Sequence, residues 1–170
     1  MKEIILAIDI GHNVPYDTGA VGIRREDDLN MLVGNALISK LRGRGIKVVN
    51  CTPNTAKSLN DSLYQRVITA NNSGATLFVS IHHNACPGGY GAEVLCIKNN
   101  YQGGLSTKVG EAILNELSSL GLRNRGVKDR REVQSKCLLR ISHSVHSLFS
   151  AKQILAQPVH GCLLYTSRCV

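Results

Sequence analysis

The chain has 170 residues, 43% hydrophobic and 19% charged, which fits one globular domain with its own core and excludes a disordered or membrane-embedded protein. The formal net charge of +8 favours a polyanionic partner, nucleic acid or the anionic polymers of a cell wall. Aromatic residues make up only 4%, so no stacking platform for single strands is apparent.

The N-terminal run ends at Gly11 and reads as a buried strand, Ile4 to Ile10, with His12 just past its end. An acidic residue at position 3 and the short apolar run argue for a strand over a signal peptide, so the expectation is synthesis in the cytoplasm and action elsewhere only after release or export. From Asp27, the positions Leu29, Leu32, Val33, Ala36, Leu37 and Leu41 follow helical spacing, with Gly43 and Gly45 as stop signals. Ile46 to Cys51 reads as a second strand. Ser58 and Asp61 open a helical pattern through Leu63, Val67 and Ala70, and Thr76 to Ile81 forms a third strand that delivers His82.

Gly88-Gly89-Tyr90-Gly91 is a turn, Ala92 to Ile97 a fourth strand, and Leu105, Val109, Ala112, Ile113 and Leu117 a third amphipathic helix. Strands alternating with helices predict an α/β single domain with a largely parallel central sheet flanked by helices. Ligands of such sheets bind beyond the carboxyl ends of the strands, where His12 and His82 fall. The six cysteines contain no Cys-x-x-Cys, so buried or unpaired thiols are expected.

A hydrolytic zinc site takes three protein ligands from His, Glu and Asp and keeps a fourth position for water. The candidates are His12, Glu26 and His82. Singly, each has an ordinary explanation: a loop histidine, a first-turn helix acid favoured by the dipole, and a satisfied core histidine. His83 should point away from His82 if the strand persists that far. Asn84 and Glu93 are candidates for the substrate side. The basic run Arg123, Arg125, Lys128, Arg130 and Arg131 suits either a solvated loop or contact with anionic polymer or substrate carboxylates.

Asp9-Ile10-Gly11-His12, Glu26-Asp27-Asp28-Leu29-Asn30 and Ser80-Ile81-His82-His83-Asn84-Ala85 resemble the successive motifs of the zinc-dependent N-acetylmuramoyl-L-alanine amidases of the Amidase_3 type. Arg66 followed by Ala70-Asn71, Phe78-Val79 before Ser80, and Gly91-Ala92-Glu93-Val94 resemble the family in the same order. The resemblance implies Zn2+ held by His12, Glu26 and His82, peptidoglycan as partner, and cleavage of the bond between N-acetylmuramic acid and L-alanine by a zinc-activated water. It implies no nucleic acid and no membrane insertion, and it leaves the oligomeric state open.

The family also places a proton-shuttling Glu on a late strand, shortly after a Leu-Arg pair. Here Leu138-Leu139-Arg140 is present, but no Asp or Glu follows Glu132 through Val170. No catalytic residue is therefore identified, and residues 1–140 read as a truncated amidase-like catalytic domain, with 141–170 as an aberrant tail, frame-shifted or vector-derived. In another frame, Ser144 to Leu148 can encode Pro-Cys-Ile-Leu, close to the family's segment. A chain that lost its late strand would leave its sheet short and turn over poorly. The alternatives are a non-catalytic zinc-containing wall-binding relative and a nucleic-acid-binding module, the latter leaving the spaced motifs unexplained.

Overall fold

A computed structural model describes residues 3–85, 89–96 and 104–129, together with the backbone of residues 160–168. Strand β1 (Ile5–Ile10) lies between β2 (Lys47–Asn50) and β3 (Leu77–Asn84), and both pairings are parallel. The full order is β2-β1-β3-β6-β4-β5, with β4 at Tyr90–Cys96, β5 at Asn124–Asp129 and β6 at His160–Arg168. Of the strand pairings among the described residues, only β4–β6 is antiparallel. The α/β domain with a largely parallel sheet is thus what the sequence predicts, with the direction of the last strands as the addition.

Apolar alternation along the strands splits the core in two. Ile8, Ile10, Leu77, Val79, Ile81, Ala92 and Val94 face Ile38 of helix α1 (Glu26–Gly43) and Leu114 of helix α3 (Leu105–Ser119). Ala7, Cys51, Ala75 and Phe78 pack on the other face with Ala70 of helix α2 (Leu59–Asn72). Ser58 caps α2 by accepting from the Asp61 N–H at 3.1 Å, as the pair of residues at its start suggests. Helix α1 sits close on β1 because position 34 is glycine: a Cβ there would lie 2.5 Å from Ile10 Cγ1.

Two expectations need correction. The apolar stripe of α1 does not run through Leu32 and Val33, which are exposed; the buried line is Glu26, Asp27, Asn30, Gly34 and Ile38. The first two turns bury polar groups because they abut the site at the strand ends, and only the later turns bury apolar ones. The sheet is also not left short. The tail supplies β6, inserted between β3 and β4, with Leu77 opposite His160 and Cys96 opposite Cys162. Leu163, Leu164, Tyr165 and Thr166 are suited to strands, and without them β3 and β4 would carry unpaired backbone edges in mid-sheet. The segment Ile141 to Ser147 lies outside the described residues, as do Cys86, Cys137 and Cys169. Among the described residues, no helix is long and apolar enough to cross a membrane.

Candidate metal centre

The loop after β1 is held in an unusual backbone state. His12 and Asn13 both adopt positive φ, 61° and 69°, a strain of about 1–3 kcal/mol each that surrounding bonds must hold in place. The sequence suggests a turn permitted by Gly11, yet glycine is needed there for another reason. A Cβ at position 11 would lie 2.4–2.7 Å from the His82 ring atoms, so only a bare Cα lets the two strand ends approach. The Gly11 carbonyl accepts from Asn13 Nδ2 at 2.8 Å and from Asn30 Nδ2 at 2.9 Å, pinning the turn to helix α1.

Glu26 is the first residue of α1, where the helix N-terminus favours an anion. Its Oε2 accepts from the Ala20 N–H at 2.9 Å, which leaves Oε1 turned to the histidines. Oε1 lies 3.0 Å from His82 Nδ1 and 3.6 Å from His12 Nε2, the latter an ion-pair contact too long for a hydrogen bond. The two rings meet edge to face with centroids 4.8 Å apart. Strand β3 persists through His83 to Asn84, so alternation separates the neighbouring histidines. His83 turns to Asn30, its Nδ1 2.7 Å from Oδ1, away from the cluster.

The structure therefore brings His12, Glu26 and His82 together: one ligand atom from each lies within 4.8 Å of the others, and all three side chains are buried. Buried His12 Nε2 has no hydrogen-bond partner. An orphaned imidazole nitrogen beside a second imidazole and a carboxylate fits a divalent transition metal well, since a cation would satisfy all three at once.

Residues 6–155 match the Amidase_3 family, described as N-acetylmuramoyl-L-alanine amidase. The chain belongs to this family. The match runs past Arg140, where the motifs read in the sequence stop. The Bacillus subtilis (strain 168) protein YqiI is 35% identical over 127 residues, covering 72% of this chain and 58% of that protein. The Clostridium perfringens (strain 13 / Type A) protein CPE1502 is 33% identical over 130 residues, covering 75% and 38%. The chain thus spans less than two thirds of the length of these curated relatives. Among solved structures, the CwlD amidase from Clostridioides difficile, in complex with the GerS lipoprotein, is similar in fold with a TM-score of 0.73 and 22% identity, over 96% of this chain and 82% of that one. An N-acetylmuramoyl-L-alanine amidase from Clostridium difficile 630 gives a TM-score of 0.66 and 27% identity, over 96% and 79%.

Behind the three candidate ligands of this Amidase_3 chain stands a buried polar network, in which the motif residues Asp9 and Arg66 are joined by Asp17 and Ser62. His12 Nδ1 is 2.8 Å from Asp17 Oδ1, an arrangement in which the ring donates to the carboxylate and keeps its Nε2 lone pair toward the cluster. Asp17 Oδ2 accepts from Ser62 Oγ at 2.7 Å and from Arg66 at 3.4 Å. Arg66, 1% exposed, also donates to Asp9, to the Ile10 carbonyl at 2.9 Å and to the His12 carbonyl at 2.5 Å. The signal was available: Arg66 is three residues after Leu63 and four before Ala70, a charge set in the apolar stripe of α2. Replacing Arg66 by Met should lower stability by about 3–5 kcal/mol, because Asp9 and Asp17 would remain buried without their cation. Urea unfolding of the two forms checks this; a loss below about 1 kcal/mol would show that the network does not depend on Arg66.

The charges of the cluster are mutually dependent. Burial works against a charged His12, but Asp17 and Glu26 outweigh it and raise its pKa to about 9. Burial likewise opposes ionisation of Glu26, yet His12 and His82 hold its carboxyl far below the usual range. Asp17 is lowered in the same way, against burial, by His12, Ser62 and Arg66. In chelator-treated protein, the raised His12 stabilises the fold fully below its ordinary pKa of 6.5 and loses that contribution as pH rises through about 9. The lowered carboxyls act oppositely, stabilising above their ordinary values and failing only in acid. Thermal melts in chelator should therefore show the midpoint falling between pH 6.5 and 9.5, a fall that saturating zinc suppresses because the metal replaces the proton on His12. A midpoint that rises over this interval in chelator would contradict the arrangement.

The remaining candidates are placed apart from the three. Asn84 ends β3 half-buried, with a buried Oδ1 that has no hydrogen-bond partner. Glu93, on β4, is buried and paired with Lys128 Nζ at 2.6 Å and Arg125 at 3.1 Å, so it does not reach the cluster as a ligand. The basic run is not simply a loop: Arg125 and Lys128 lie in the edge strand β5, while Arg130 and Arg131 are outside the described residues.

Proposed function

We propose that this chain hydrolyses the amide bond between N-acetylmuramic acid and L-alanine in peptidoglycan, using zinc held by His12, Glu26 and His82, and that it does so slowly. The observation that carries this reading is the buried, partnerless His12 Nε2 beside Glu26 and His82 in a chain of the amidase family. Zinc, when bound there, supplies a Lewis acid that polarises the scissile carbonyl and acidifies a water. The protein's own contribution is orientation. Asp17 fixes the His12 tautomer, the Ala20 N–H fixes the Glu26 rotamer, and the bare Cα of Gly11 admits the His82 ring. Asn84 and Glu93 stand on the substrate side.

A further carboxylate must carry the proton from the attacking water to the leaving amine. Among the described residues, the acids near the cluster are committed: Asp17 to His12 and Ser62, Asp27 to the Gly19 N–H and Arg25, Glu93 to Lys128 and Arg125. This favours slow turnover, and it supports as second reading a non-catalytic zinc-containing wall-binding relative. The test loads the full chain with zinc and follows both co-sedimentation with purified peptidoglycan and amine release from it. Binding with slow, zinc-dependent release is the expected result. Binding without any release selects the second reading, and neither binding nor release overturns both.

A further inference from the structure

We propose that Lys128, steered by the buried carboxylate of Glu93 and assisted by Arg125, binds a free carboxylate on the peptide stem, that of the residue following the alanine at the scissile bond. The inference rests on the peptidoglycan reading above and adds to it a specificity site.

Strand register places this group. His82 pairs with Tyr165 of β6, and Tyr165 pairs with Glu93 of β4, so the three positions form one row across the sheet. Residues in one row share a sheet face. The core agrees: Ile81 and Val94, next along each strand, both lie in the cluster beneath α1 and α3, which puts His82 and Glu93 together on the opposite face. Two inter-strand steps separate the backbones of His82 and Glu93, about 10 Å. Two residues of extended peptide reach about 7 Å from the scissile amide, and a carboxylate with a lysine side chain covers the rest.

The chemistry of the cluster suits this ligand. Glu93, its side chain 6% exposed, accepts from both cations through the same oxygen, Oε2. A buried carboxylate held by two cations is a fixed post, since removing it from both would leave its charge buried and unpaired. Lys128 is 35% exposed and spends one of its three N–H donors on Glu93, with no other partner among the described residues. Its ammonium is therefore held at one side by Glu93, whose position lies in the row of His82, and is open to solvent at the other.

The experiment measures binding of two soluble probes to the zinc-loaded full chain by calorimetry: N-acetylmuramoyl-L-alanyl-D-glutamate with its α-carboxyl free, and the same compound with that carboxyl amidated. The acid should bind about tenfold more tightly than the amide, the size of one charge-assisted hydrogen bond. Lys128→Met, which leaves Glu93 paired with Arg125, should bind the two probes alike with unchanged zinc content, whereas Lys128→Arg should retain the preference. Equal binding of both probes by the unaltered chain, or an undiminished preference in Lys128→Met, overturns the proposal while leaving the amidase reading intact. Failure of the unaltered chain to bind either probe removes the peptidoglycan reading and this inference with it.

Discussion

Alanine at His12, Glu26 or His82 is expected to abolish stoichiometric zinc binding, whereas His83→Ala leaves it intact. Three protein ligands leave no redundancy. Losing any one should cost more than the roughly 10–100-fold in affinity that follows loss of an outer hydrogen-bonding partner. Asp17→Asn, which removes the charge beside His12 Nδ1, Ser62 and Arg66 but none of the three candidate ligands, belongs to that smaller class. His83 is the internal control, since its ring is engaged with Asn30 and its backbone N–H, not its imidazole, meets Glu26 Oε1 at 3.1 Å. Zinc content after equilibration against a competing chelator distinguishes the cases. Retention of zinc by His82→Ala with loss in His83→Ala would reverse the assignment within that motif.

Restoring a Glu-bearing late strand should raise hydrolysis by about 10²-fold or more, the usual contribution of a positioned general acid/base. The substitution to make is the segment recovered by re-reading the gene in another frame downstream of the Arg140 codon, with the metal ligands untouched. Both forms, zinc-loaded, would be compared by amine release from purified peptidoglycan. Peptidoglycan binding should change little, because the residues assigned to metal and substrate lie upstream. Equal rates would mean that a residue already present moves the proton, or that the segment is not needed.

Much of the fold was legible because strands β1 to β4 and the three helices each carry a consistent local pattern closed by turn residues. The convergence of His12, Glu26 and His82 was legible for a different reason: they lie at two strand ends and a helix start, which any parallel α/β sheet gathers at one edge. What periodicity misread was the first half of α1. There the site demands buried Glu26, Asp27 and Asn30, and Leu32 and Val33 are left outside. Arg66 stands in the family pattern, but its buried network with Asp9 and Asp17 escaped because an ion network leaves no periodic trace beyond one charge in an apolar stripe. Strand β5 was masked by its charge, since Arg125 and Lys128 read as loop residues until Glu93 is seen beneath them. Strand β6 escaped because, although Leu163 to Thr166 suit a strand, its insertion between β3 and β4 is set by long-range pairing that local pattern does not announce.

The most direct measurement of the central claim is X-ray absorption at the zinc edge on the stoichiometrically loaded full chain. Two imidazole nitrogens and a carboxylate oxygen from His12, His82 and Glu26, with a solvent oxygen, should give only nitrogen and oxygen scatterers at about 2.0–2.2 Å. The chain has six cysteines, so an alternative site would betray itself. A sulfur shell at about 2.3 Å, or a zinc signal that survives unchanged in His12→Ala, would contradict the account.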